Sequence, residues 1–144
     1  MDPRAGALRQ LQTIHVIFVV VIFMQGYVSE VPARTGTGVT ESFIFTIAVV
    51  AWIELMIAHY HRIKRTIPAM EKLRRDSNDA DALKQWRAGI ILAMVLTLSV
   101  ALYGVVLRSL GAGRRIAWPF FLAALIFLVI WRPQLDLGGE IPKT

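Results

Sequence analysis

Apolar residues gather in four long runs separated by polar intervals, at about 13–31, 42–60, 88–107 and 116–131. At 1.5 Å per residue, each predicts a helix reaching most or all of the way across a hydrocarbon layer about 30 Å thick. The fourth run is the shortest. Strands are excluded, because lipid offers the backbone no hydrogen-bond partner and four short strands cannot close a barrel. The intervals differ in kind. Residues 32–41 hold Thr35-Gly36-Thr37-Gly38 and residues 108–115 hold Gly111-Ala112-Gly113, so both predict tight turns. Residues 61–87 are polar with alternating charge and predict an amphipathic helix over 67–75, followed by a polar break at 76–81.

Composition supports the same architecture. Of 144 residues 56% are apolar and 18% charged, with no cysteine. A soluble domain carries about 45–50% apolar residues, and a chain this short could not bury the excess in a core of its own. Hydrophobicity excludes disorder, and the missing thiols exclude a disulfide or cysteine–metal scaffold. The expected fold is an all-α integral membrane four-helix bundle, a single transmembrane domain spanning 1–144.

The net charge of +6 matters through its placement. The interval 61–87 carries Arg62, Lys64, Arg65, Lys72, Arg74, Arg75, Lys84 and Arg87, and Arg4 and Arg9 precede the first run. The short turns carry only Arg34, Arg108, Arg114 and Arg115. Positive-inside reasoning therefore expects both termini and loop 61–87 in the cytoplasm. Tyr60, Trp86 and Trp131 are expected as aromatic anchors on that side, and Tyr27, Tyr103 and Trp118 on the other. The basic loop is expected to attract anionic lipid headgroups. Nucleic acid is not an expected partner, because these basic residues lie among acids beside the bilayer. Arg4 and Arg9 with Val31-Pro32-Ala33 also loosely fit a cleaved secretory leader, but the apolar run is long for one and Gln25 and Glu30 follow it, which favours a retained anchor.

Laying the second half over the first superposes Leu8-Arg9-Gln10 on Leu83-Lys84-Gln85, and Gly36 and Gly38 on Gly111 and Gly113. This suggests a helical hairpin of about fifty residues used twice, a parallel repeat about an axis along the membrane normal. The residues Trp86-Arg87-Ala88-Gly89, Ala101-Leu102-Tyr103-Gly104-Val105-Val106-Leu107 and Pro119-Phe120-Phe121-Leu122-Ala123-Ala124 resemble a group of small bacterial four-span, double-hairpin membrane proteins. That group is distantly like the duplicated proteolipids of rotary ATPases. The resemblance implies a bacterial inner-membrane location and carries over no functional residue. The chain departs from the proteolipids in lacking a glycine ladder in its first run and in its expected cytoplasmic termini.

Candidate chemistry is sparse. Glu54 is the one ionisable residue well inside a run, where a carboxylate costs several kcal/mol unless paired, protonated or hydrated. Ala51 and Ala58 share its helix face and favour a neighbouring helix over lipid. Two readings stay open: an intramembrane proton or cation site, or a hydrogen-bonded carboxyl that locks packing. In the first run His15, Phe18, Ile22, Gln25 and Ser29 fall on one stripe, with Gln12 just before it. His15, Gln25 and Ser29 are its candidate polar lining, or else partners in interhelical packing. Gly89, Ala93, Thr97 and Ala101 recur every four residues and predict a close-contact face. A haem b held by His15 and His59, or a metal held by two histidines and Glu54, is geometrically conceivable, although no cofactor or metal is expected; His59 and His61 are two apart and cannot share a face. Glu30, Arg34 and Glu41 are expected to form a solvated outer cluster. There is no phosphate loop, nucleophile elbow, metalloprotease motif or carboxylate pair, so nothing argues for an enzyme. The expected role is a structural or accessory subunit that self-associates or packs in a larger membrane complex. Oligomeric transport through Glu54 and haem binding are the alternatives.

Overall fold

The four apolar runs and the amphipathic segment between them are helical in the computed structural model, which describes residues 3–30, 38–76 and 78–133. The helices are α1 (Pro3–Val28), α2 (Glu41–His61), α3 (Ile67–Arg75), α4 (Ala80–Ser109) and α5 (Arg114–Ile130). A π-helical turn, Arg62–Thr66, joins α2 to α3 without a break. Three helical segments, Arg4–Val28, Glu41–Arg75 and Ala80–Ser109, are long and apolar enough to cross a membrane. The 17 residues of α5 reach about 25 Å.

The π turn has a local cause. Pro68 lacks an N–H and cannot bond to the carbonyl four residues before it. The helix widens just upstream, where the Ile67 N–H reaches back to the Arg62 carbonyl, the i→i+5 pattern of a π turn. Past this point Ala69 and Leu73 are buried while Lys72, Arg74 and Arg75 stay exposed. The amphipathic segment therefore extends α2 and packs along the start of α4. Asp79 starts α4 by accepting the Ala82 N–H at 2.8 Å, satisfying one of the donors that a helix start leaves open.

α4 is the hub. Of its apolar window 44% is buried, against 11% for α1 and 17% for the α2–α3 run. Its neighbours are α1, α2, α3 and α5. Trp86, Ile90, Met94, Ala101 and Leu107 join the main core with Leu11 and Ile22 of α1 and Phe121, Ala124 and Leu128 of α5. Elsewhere α1 and α2 show apolar side chains to the outside, with Phe45 71% and Tyr27 74% exposed. Water would not tolerate such faces over whole helices, whereas hydrocarbon does.

The tight turn expected at 108–115 is present. Gly111, at φ 92°, ends α4; its N–H bonds to Arg108 O and the Ala112 N–H to Leu107 O. That double closure is the Schellman motif, and it needs a residue that adopts the left-handed region freely. α4 and α5 thus form a packed hairpin. α1 and α2 do not: among the described residues they make no contact, and each packs on α4 instead. Of the two side-by-side hairpins expected, the described residues show the α4–α5 pair in contact. Residues 31–37 lie outside the described residues, and with them Val31-Pro32-Ala33, Arg34 and most of the first expected turn.

Two aromatic expectations also change. Trp86 is 1% exposed and Trp131 8%, so both are core residues and not interfacial anchors. Trp131 packs edge-on to Phe127 and stacks on His59, because the chain leaving α5 turns in against the end of α2. Tyr27, Tyr60 and Trp118 are exposed.

Candidate functional site

Glu54 lies on the α2 flank that faces α4, beside the buried Ala51, Leu55 and Ala58. Its carboxyl group is half-buried, and both oxygens are engaged by one neighbouring helix. The Ser99 hydroxyl donates to Oε2 at 2.5 Å, and the Tyr103 hydroxyl donates to Oε1 at 2.6 Å. Ser99 and Tyr103 are four residues apart, so α4 presents them on one face, a turn above one another. Ser99 Oγ also lies 2.8 Å from Leu96 O, which ties the hydroxyl to its own helix. Small residues let the backbones approach and the two hydroxyls supply what lipid cannot. Tyr103, expected as an outer anchor, is instead a ligand of this carboxyl.

The sequence reading missed Ser99 and Tyr103. The signal was available: two hydroxyl side chains at i and i+4 inside an apolar run need an acceptor, and Glu54 is the sole acid at that depth. Ala51, Val100 and Leu55 close one side of the group with Tyr103. The site is a two-point joint between α2 and α4.

The stripe on α1 turns inward, with Ile22 and Ser29 buried and His15, Phe18 and Gln25 half-buried. Gln12 is exposed. Ser29 Oγ donates to Gly26 O at 2.6 Å. His15 Nδ1 and Gln25 Oε1 are buried without a hydrogen-bond partner among the described residues. The helix that carries the stripe packs on α4 and α5. His15 lies on α1, and His59 lies near the end of α2, where it stacks on Trp131. Among the described residues no three His, Asp or Glu side chains are grouped to hold a metal ion.

Gly89, Ala93, Thr97 and Ala101 do not serve a single partner. A step of four residues drifts by about 40° on a helix of 3.6 residues per turn. A Cβ on Gly89 would collide with Thr66 Oγ1 in the π turn. Ala93 packs with Ala58 and Trp131, whereas Ala101 joins the core shared with α1 and α5. Thr97 is fully buried and satisfies its hydroxyl on Ala93 O at 2.8 Å. A further close approach, Gly104 against Phe121 and Ala117 O, belongs to the α4–α5 hairpin.

At the opposite end from the π turn, three contacts bind α1 to the hairpin. Arg108 Nε donates to Ser29 O at 3.1 Å and its NH1 group to Ala112 O at 2.9 Å. Trp118 Nε1 donates to Glu30 Oε1 at 3.0 Å, and Arg114 forms an ion pair with Glu30 Oε2. The expected solvated cluster around Glu30 is therefore corrected: its partners are on α5, and its side chain is only 24% exposed. Arg34 lies outside the described residues.

Comparison with known proteins finds no matching family model, and neither the curated proteins nor the solved structures yield a match.

Proposed function

We propose that this chain is a small multi-pass protein of the bacterial inner membrane with a non-catalytic, structural or accessory role, self-associating or packing in a larger complex. In this reading α1, α2, α4 and α5 all cross the bilayer, both termini are cytoplasmic, and the repeated Leu-Arg/Lys-Gln and Gly-x-Gly motifs mark an ancestral hairpin. The observation that carries the functional part is the engagement of both Glu54 oxygens by Ser99 and Tyr103. A carboxyl held at two points by one helix is occupied in joining helices, which is the use a packing residue makes of it.

The test is purification in mild detergent, followed by reconstitution. A structural subunit extracts as an oligomer or with a partner, and proteoliposomes containing it show no proton or cation flux. A monodisperse monomer that is stable alone counts against the assembly role. Cation or proton flux that disappears in Glu54→Gln replaces it with transport.

A further inference from the structure

The end of the bundle that carries the α4–α5 turn has an excess of arginine that its topology does not explain. Positive-inside reasoning, which sets the orientation proposed above, expects few basic residues on the outer face. Yet Arg108, Arg114 and Arg115 fall within one short interval. Arg108 is used on the carbonyls of Ser29 and Ala112. Arg114 and Arg115 occupy the first turn of α5, where acidic residues stabilise a helix and basic ones oppose its dipole. Arg114 meets Glu30, but Arg115 is exposed and has no ion pair among the described residues.

Directly below these arginines runs a groove between α1 and α5. It has a volume of about 280 Å³ and is almost wholly apolar, lined by Ile22, Gly26 and Tyr27 of α1 and by Trp118, Leu122 and Leu125 of α5. Glu30 and Trp118 line both this groove and a shallow open site shared with Arg114 and Arg115. The floor of the groove is open because of Gly26. A glycine inside a helix costs about 1 kcal/mol relative to alanine. Here no close packing requires it, since a Cβ at Gly26 would meet nothing within 4 Å. Packing thus explains neither the glycine nor the exposed Arg115, whereas one ligand explains both.

We propose that this is a binding site for a single glycerophospholipid of the outer leaflet, one acyl chain lying in the α1–α5 groove and the phosphate against Arg114 and Arg115. The charge is complementary and the order of groups matches the bilayer: guanidinium at headgroup level, indole at the interface, hydrocarbon beneath. From Ile22 to Glu30 the groove follows α1 for about 12 Å, a depth suited to the upper part of a fatty acyl chain. Glu30, by tying Arg114 and Trp118 to the end of α1, fixes the rim of the site.

The experiment is native mass spectrometry of the full chain in detergent, titrated with phosphatidylglycerol. The wild type binds one lipid molecule tightly. Gly26→Leu, whose Cβ has open space, puts a side chain into the groove, and Arg114→Gln with Arg115→Gln removes the headgroup contacts; each weakens that binding by about tenfold. Arg9→Gln, which removes a positive charge from an exposed position outside the basic loop, leaves it unchanged. Equal lipid binding by all four proteins overturns the proposal. So does a Gly26→Leu protein whose oligomeric mass changes while its lipid binding does not, since the groove then belongs to a second copy of the chain. Inorganic phosphate competing as well as the lipid also overturns it, by removing any role for the groove. Recovery of the protein in aqueous extracts without detergent is a separate result, and would remove the membrane setting on which the site rests.

Discussion

Tyr103 donates its hydroxyl proton to Glu54 across the α2–α4 interface at 2.6 Å, although the two residues stand 49 positions apart in the chain. Interhelical hydrogen bonds of this kind in membranes contribute about 0.6 kcal/mol on average and up to about 1.7. Tyr103→Phe is therefore expected to lower unfolding stability in mixed micelles by about 1 kcal/mol. Glu54→Leu should cost more, because it strands the hydroxyls of Ser99 and Tyr103 together. The double variant should fall short of the sum, giving a coupling of about 0.5–1.5 kcal/mol in a double-mutant cycle. Strict additivity would show that the two side chains do not act on each other.

The approach of α4 to α5 depends on Gly104. A Cβ there would sit 2.9 Å from the Phe121 ring and 3.1 Å from Ala117 O. Gly104→Ala is expected to destabilise by about 1–3 kcal/mol through overpacking. Phe121→Leu, which withdraws the ring, should recover part of that loss. Gly26→Ala supplies the contrast: with no neighbour within 4 Å, it should stabilise by about 0.5–1 kcal/mol through helix propensity alone. Thermal unfolding in detergent distinguishes the two glycines, and equal effects would refute the packing account.

Gly89 makes a sharper prediction because its neighbour is a single oxygen. Thr66 Oγ1 is buried without a hydrogen-bond partner among the described residues and stands where a Gly89 Cβ would go. Thr66→Val removes an unsatisfied hydroxyl at nearly constant shape and should be neutral or stabilising by about 1 kcal/mol. Gly89→Ala should be strongly destabilising. Thr66→Ala in the same chain should rescue it, because the nearest remaining side-chain atom, Thr66 Cβ, lies at 3.2 Å. Failure of the rescue would mean that Gly89 is required for some reason other than this contact.

What could be read from the sequence follows from where polarity varies. The segment 67–75 sets apolar residues beside Glu71, Lys72, Arg74 and Arg75, and α3 occupies Ile67–Arg75 with Ala69 and Leu73 turned inward. The glycines at 111 and 113 likewise predicted the turn that Gly111 makes with its left-handed backbone. In the apolar runs the contrast is lost: outward-facing Val16 and core-facing Ile22 are both aliphatic, so periodicity cannot say which side meets protein. The order of neighbours around α4 was not legible for that reason. Polar residues were the usable markers. His15, Gln25 and Ser29 identified the inward face of α1, and Ser99 with Tyr103 would have identified Glu54's partner helix had the pair been read as donors.

Arg108 closes two helix ends at once, and this makes its replacement informative. The last carbonyls of a helix have no partner within it; Arg108 takes the one at Ser29, just past the end of α1, and the one at Ala112 in the turn that follows α4. A guanidinium can reach both because its donors point along a fixed fork, whereas a lysine ammonium is a single point of donation. Arg108→Gln should cost about 1 kcal/mol in the overall transition, a modest figure because most of the core is untouched. The local effect should be larger: the amides of Ser29 and Glu30, bonded to Gln25 O and Tyr27 O, should exchange hydrogen faster while those of the α4 interior do not change. Arg108→Lys should restore one end and leave the other frayed. Uniform acceleration along all the helices would instead make Arg108 a general stabiliser, with no specific part in holding α1 against the α4–α5 hairpin.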